Sequence, residues 1–284
     1  MVDAGGSSTI HTYGAYFGLT VCMMLSKVAK PLGSANTSYI SNITAFIGTI
    51  FLWMYWPSFN FGLDATNEFE ESLIVINTIM SLTGSVLGTF IICSLCFGEE
   101  MEMESILNAT LAGGVAIGAS SQFVYRPGVA LFIGCSAGMI STLCFHYLSP
   151  KLTKLIGLYD TCGIHNLHGI PGLMGGIWSS IIIAFYSTGY DANIASQFSN
   201  GNFQVPTDVS FQKQALLQLG GTFCSMGMGI IMGIFGGLVI NCFYSERPQA
   251  FYQDREYFEN AGHTDLYGEE IVVEESKERT IDVK

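Results

Sequence analysis

Two stretches of this 284-residue chain repeat one spacing of residues able to do chemistry. The first is Asp3-Ala-Gly-Gly-Ser-Ser-Thr-Ile-His11 and the second is Asp160-Thr-Cys-Gly-Ile-His-Asn-Leu-His168. In each, a glycine follows the aspartate by three positions and a histidine follows it by eight. Eight helical residues rise about 12 Å. A carboxylate at the helix start can therefore cap free N–H groups, while the imidazole lies well inside the apolar stretch that follows. An ionisable group at that depth in a membrane segment is rare and is a functional candidate by default. A neutral imidazole carries one donor and one acceptor nitrogen. Two facing rings can hydrogen-bond each other, present an edge to a small polar molecule such as ammonia, and hand on a proton. For either ring alone a hydrogen-bonded packing role is the competing reading; the repeated spacing favours the pair.

The remaining reactive residues carry weaker signals. His165 precedes His168 by three positions, a conceivable metal half-site, but no third ligand of matching spacing is visible. No metal and no cofactor is expected, and a packing or polar-contact role for His165 is the simpler reading. His146 sits beside loop charges and His263 in a polar tail, so both read as solvated. The eight cysteines fall almost entirely in apolar stretches and read as small buried hydrophobes; Cys93-x-x-Cys96 has redox spacing without a second pair. The aromatic run Phe51–Phe59 fits an interfacial belt or a ring placed over a pore mouth.

The elements that must position these groups are membrane spans. The chain is 49% hydrophobic and only 12% charged, with a mean hydropathy of +0.41; soluble domains carry about 25% charged residues. The 33 glycines suit closely packed membrane helices. A span needs about 20 mostly apolar residues. Seven stretches qualify or nearly do: Thr9–Met24, Tyr39–Phe59, Ser72–Phe97, Ser105–Val124, Gly128–Leu148, Asp160–Ser187 and Ala215–Tyr244. The fourth is the least apolar and is expected to pack among the others. The sixth and seventh are long enough to require a break, tilt or overhang. Lys27, Lys30, Lys151, Lys154, Arg247 and Arg255 then share one side, which makes the C-terminus cytoplasmic and starts Met1 outside. The loop Glu99–Glu104 should be cytoplasmic yet holds no Lys or Arg. The sequons at Asn36 and Asn42 fall on that side or in a span and are discounted. Much of the net charge of −12 lies in an acidic tail, and nothing basic enough for nucleic acid appears. In this count the first and sixth spans run in opposite directions while opening on the same motif, the mark of an inverted-repeat transporter with its site near the midplane.

On these residues the chain resembles the Rh glycoproteins of the Amt/Rh ammonium transporter family. Asp3 to Gly18 resembles the motif around the first pore histidine of that family. Phe51–Phe59, Asn108-Ala-Thr-Leu-Ala-Gly-Gly114 and Asp160–Gly172 are similar to three further signatures. The resemblance covers nearly all of residues 1–245, and the form Asp-Thr-Cys-Gly-Ile-x-Asn-Leu-His-Gly points to Rh rather than bacterial or plant Amt proteins. It implies an all-α polytopic bundle, about seven of eleven or twelve spans. It implies a transmembrane domain over residues 1–245, incomplete at its N-terminus, and a cytoplasmic acidic tail over 246–284. His11 and His168 match the twin histidines of an ammonia pore, Phe59 the second phenylalanine of the outer gate, and Asp3 and Asp160 the paired carboxylates that organise the path. Glu102 matches an acidic residue of the cytoplasmic vestibule, and Asn108 opens a motif taken to pack around the conduit.

The resemblance further implies ammonium or ammonia as substrate, a lipid bilayer as surroundings, and trimers with like or related Rh-type subunits. It implies a multi-pass location in the plasma membrane and no enzyme activity. Asn42 and Thr153 depart from positions that are often acidic in Rh transporters, which weakens cation attraction at the inner vestibule. The spans the family has beyond these seven leave an incomplete gene model, a short isoform and a non-conducting Rh-like scaffold as alternatives; an intramembrane metalloenzyme on His165 and His168 is the reading from another class.

Overall fold

The computed structural model describes residues 1–25, 39–62, 68–98, 103–186 and 210–243, and among them there is no strand. A π-helical turn, Ser7–Thr12, runs directly into α1 (Tyr13–Leu25). Next come α2 (Tyr39–Phe61) and α3 (Glu68–Ile92), the latter closed by a second π-helical turn, Cys93–Phe97. Two short helices follow, α4 (Met103–Ala109) and α5 (Ala112–Ile117). The helix α6 (Pro127–Leu143) continues through the π-turn Cys144–Leu148 into α7 (Ser149–Ile156). The fourth π-turn, His165–Gly169, opens α8 (Ile170–Tyr186), and α9 spans Phe211–Phe243. Four helical runs, Glu68–Phe97, Pro127–Ile156, His165–Phe185 and Phe211–Phe243, are long and apolar enough to cross a membrane.

The protein is therefore an all-helical membrane bundle. Three of the seven expected spans, Thr9–Met24, Tyr39–Phe59 and Ser105–Val124, are not among these four runs, although the first two are helical. The stretch Ser105–Val124 is not a continuous helix. It breaks after Ala109 and again after Ile117, and residues 118–123 are turns. Its burial is nearly complete: Ala109, Ala112, Val115, Ala116, Ile117 and Ala119 have no exposure. Broken backbone at that depth needs internal hydrogen-bond partners, and neighbouring side chains supply them. Asn77 Nδ2 donates to the Ser121 and Val124 carbonyls at 2.7 and 2.6 Å. Ser81 Oγ donates to Gly113 O, and Ser85 Oγ donates to Ala109 O while accepting from Gly113 N. Ser7 Oγ donates to Val115 O and accepts from Ala119 N. Asn77, Ser81 and Ser85 of α3, spaced by four, thus fall on the face turned to the broken segment.

The helices approach closely where side chains are absent. Contacts pair residue 84 with 131, 88 with 135, 81 with 134 and 85 with 138, so α3 and α6 run parallel. A Cβ added at Gly134 or Gly138 would fall on the carbonyl of Ser81 or Ser85. By the same reading α1 and α8 are antiparallel, with Gly172 over Thr12 and Gly169 over Ala15, while α9 runs parallel to α1 through Gly229, Gly233 and Gly237.

Gly134→Ala must push two backbones apart. Overpacking of this kind costs about 1–3 kcal/mol, and the expected outcome is a lowered Tm of the purified protein in scanning fluorimetry. Gly48→Ala, on open space in α2, should leave Tm unchanged; equal Tm values for the two variants would show that the seam yields freely.

Candidate functional site

The two Asp-x-x-Gly segments fold alike. Gly6 and Gly163 both take the left-handed conformation, each with φ of 70°, a region that favours glycine. The bend turns each aspartate back onto the N–H groups that follow it. Asp3 Oδ2 accepts from Ser8 N at 3.0 Å, Thr9 N at 2.7 Å and Thr9 Oγ1 at 2.8 Å. Asp160 accepts from Ile164 N at 3.0 Å through Oδ1 and from His165 N at 2.8 Å through Oδ2. Beyond each cap comes a π-helical turn that carries the histidine, His11 in Ser7–Thr12 and His168 in His165–Gly169. Such wide turns are rare and occur frequently at functional sites.

Because α1 and α8 run in opposite directions, the two π-turns bring their histidines together. His11 Nδ1 and His168 Nδ1 lie 3.0 Å apart. The rings are nearly coplanar in orientation, with centroids 5.0 Å apart and 8° between planes. A hydrogen bond between like nitrogens requires one protonated Nδ1 and one bearing a lone pair. When both rings are neutral, one Nε2 of the pair is then a donor and the other an acceptor. His11 Nε2 is buried and bonded to no described residue.

The aromatic run on α2 closes over this pair. Phe59 is 5.5 Å from the His11 ring at 48° and remains 41% exposed. Trp56 lies deeper: its ring stacks at 5.8 Å and 20° from His11 and at 6.5 Å and 17° from His168. Its Nε1 is likewise buried and bonded to no described residue. A Cβ at Gly114 would meet the Trp56 indole at 2.6 Å, so the last glycine of the motif opened by Asn108 makes room for that ring. Asn108 itself lies beside the Asp160 cap, its Nδ2 3.6 Å from where a Cβ on Gly163 would stand. Trp56 escaped the sequence reading because a tryptophan in an aromatic run carries no mark separating an interfacial ring from a buried one.

The other residues singled out from sequence lie apart from the pair. His165 is buried, with Nδ1 3.4 Å from Asn166 Oδ1 and its ring edge-on to Tyr16 at 5.9 Å. His146 is half-buried and stacks on Phe97 with centroids 3.7 Å apart. Thr153 Oγ1 donates to Ser149 O and to Leu158 O, tying the end of α7. Glu102, Lys27, Lys30, Asn36 and residues 246–284 lie outside the described residues.

The profile of the Ammonium Transporter Family matches residues 1–260. The chain belongs to the ammonium transporter family. Within that family it is similar to the Rh proteins. It is 42% identical over 246 residues to the ammonium transporter Rh type C of Xenopus laevis, covering 85% of this chain and 51% of that protein. It is 40% identical over 273 residues to Rh type C of Homo sapiens, covering 93% of this chain and 55% of that protein. Among solved structures, Rh50 of Nitrosomonas europaea superposes with a TM-score of 0.74 at 30% identity, covering 92% of this chain and 61% of that one. Mep2 of Saccharomyces cerevisiae shares the fold, with a TM-score of 0.65 at 20% identity over 89% of this chain and 54% of that one. The chain spans about half the length of the curated relatives it matches.

The Asp160 cap offers a local test. Asp160→Ala removes two hydrogen bonds from the first turn before α8, a loss of about 0.5–2 kcal/mol. Amide exchange at Ile164 and His165 should accelerate while that at Ser8 and Thr9 does not; unaltered rates at all four would mean that the caps are dispensable.

Proposed function

We propose that this chain conducts ammonia across a membrane along the His11–His168 pair, in the manner of the ammonium transporters it resembles. The observation that carries the reading is the 3.0 Å contact between imidazole nitrogens from oppositely directed helices. An ammonium ion entering an apolar passage loses its hydration, and moving an unpaired charge there costs far more than moving a neutral molecule. Transferring the proton to water at the entrance, and taking one from water at the exit, removes that cost. The NH3 left behind can donate to and accept from the pair, whose outer nitrogens include one donor and one acceptor when both rings are neutral.

The surroundings fit these steps. Trp56 and Phe59 shield the rings from one side, and Asp3 and Asp160 hold the two π-turns in register through the caps described above. Glu102 would gather cations at the cytoplasmic side. The wider assignment follows the same reading: residues 1–245 form the transmembrane domain and 246–284 a cytoplasmic tail. The protein works as a trimer of like or related subunits in the plasma membrane, and no enzymatic step is involved.

A second reading, a non-conducting scaffold, draws support from the exposure of Ile10 and Phe59, each at 41%, beside His11.

Uptake of methylammonium by cells lacking their own ammonium transporters separates the two. Conduction predicts uptake above background. It also predicts that His11→Ala and His168→Ala each change the rate by about tenfold, equivalent to ~1.4 kcal/mol in the barrier. Uptake that neither substitution alters would refute the pore assignment. Protein that reaches the membrane without any uptake would support the scaffold.

A further inference from the structure

Of the 23 residues of α2, only Trp56, Pro57 and Asn60 are buried. Pro57 lacks the N–H that would bond the Trp53 carbonyl, so the last turn, which holds Phe59, is tied less firmly to the turns before it. Asn60 follows Phe59 directly and lies four residues beyond Trp56, on the same face. A buried amide is costly unless hydrogen-bonded, and Asn60 finds its partners on two other elements. Its Nδ2 donates to Thr78 Oγ1 of α3 at 2.9 Å and to the carbonyl of Gly114 in the broken segment at 3.3 Å. Thr78 Oγ1 in turn donates to the Ile74 carbonyl. The Trp56 indole fills the place where a Cβ on Gly114 would stand, so Asn60 and Trp56 rest on the same residue.

The turn that leads to His11 meets the same amide. A Cβ added at Gly5 would collide with Asn60 Oδ1 and with Gly118 Cα. That turn is itself held in place. Gly5 N donates to Gly118 O at 2.9 Å. On α9, Gln218 Oε1 accepts from the N–H of Val2 at 2.8 Å, Gln218 Nε2 donates to the Val2 carbonyl, and Thr222 Oγ1 lies 2.9 Å from Ser8 Oγ. Asn60 therefore sets the end of α2 against a fixed turn that carries one of the two paired histidines.

We infer that Asn60 is a positioning residue: its amide fixes the depth at which Trp56 and Phe59 meet the His11 ring. The inference rests on the transport reading above and deepens it, since rings that close over the pair limit the size of the amine that can reach it. One methyl group changes discrimination in an apolar site by about 10–200-fold, so a small displacement of these rings alters the preference between ammonium and methylammonium.

Fluorescence of the purified chain in lipid nanodiscs tests the placement without requiring transport. Trp53→Phe and Trp178→Phe leave Trp56 as the single tryptophan. In that parent, Asn60→Leu should shift the Trp56 emission to longer wavelength and increase its quenching by acrylamide, because the loosened end of α2 lets solvent reach the indole. Asn77→Leu is the matched control. Asn77 Nδ2 also makes two buried bonds, and its Oδ1, like that of Asn60, is bonded to no described residue, but those bonds go to Ser121 and Val124 and not to α2. It should lower Tm as Asn60→Leu does and leave Trp56 unchanged. Equal changes at Trp56 in the two variants, or none in Asn60→Leu, overturn the inference. If either leucine variant does not fold, Thr78→Val and Ser85→Ala replace the pair. The first removes an acceptor of Asn60 Nδ2 and should move Trp56; the second removes two bonds to the broken segment and should not. Any other pattern overturns the inference. Uptake assays then divide the two proposals. In a conducting protein Asn60→Leu changes the ratio of methylammonium to ammonium uptake by about tenfold and Asn77→Leu does not; an unchanged ratio in Asn60→Leu overturns the inference. A parent that takes up neither sinks the transport reading, and the Trp56 emission alone then decides on Asn60.

Discussion

Every peptide group within an apolar slab must find its partner inside the protein. Regular helices meet that requirement by themselves. The stretch from Ser105 to Phe123 does not, because it breaks twice within a nearly unexposed region. Its existence obliges neighbouring helices to carry polar side chains at depth, and Asn77, Ser81 and Ser85 on α3 do so together with Ser7. Much of the architecture follows. The short side chains that reach those carbonyls also let α3 approach α6, and the glycines of α6 complete the approach. Because Ser7 reaches the broken segment from the π-turn that bears His11, the same hydrogen bonds that satisfy the buried backbone hold that histidine in place.

The paired motifs obey the same rule at helix ends. A helix begins with unpaired N–H groups, and an aspartate folded back by a left-handed glycine satisfies two of them in each motif. The π-helical turn after each cap widens the helix where its histidine must reach sideways. Placing these units on antiparallel helices brings two imidazoles together edge to edge, nitrogen against nitrogen. The pairing is therefore a product of local turn chemistry and helix direction rather than of any single long-range bond.

The repeated aspartate, glycine and histidine spacing made both motifs legible in the sequence, and the count of lysines and arginines in short loops supplied the opposed directions of the helices that carry them. The interruption of Ser105–Val124 was not legible, because Ala, Gly and Val at those positions suit a packed helix as well as a broken one; only partners distant in sequence decide between them. The π-turns were not legible either: Ser7–Thr12 and Cys93–Phe97 have no proline just after them, and Pro150 and Pro171, which follow the other two, fit an ordinary helix start equally well. Trp56 was hidden inside an aromatic run that also fits a belt at the lipid boundary. Gln218 could be noticed as a glutamine in an apolar span, but nothing nearby in the chain named Val2 as its partner.

The clamp between Val2 and Gln218 joins residues 216 positions apart, so it bears on biogenesis. A ribosome feeding this chain into a bilayer delivers residues 1–12 long before α9 exists. Until α9 is inserted, the Val2 backbone lacks Gln218 and Ser8 lacks Thr222, while the contacts of the first motif with Gly118, Val115 and Ala119 on the broken segment can already form. The site is thus finished by a helix made long after the histidine that it serves, and a nascent chain arrested before Phe211 would hold both histidines yet leave Val2 and Ser8 without their partners on α9.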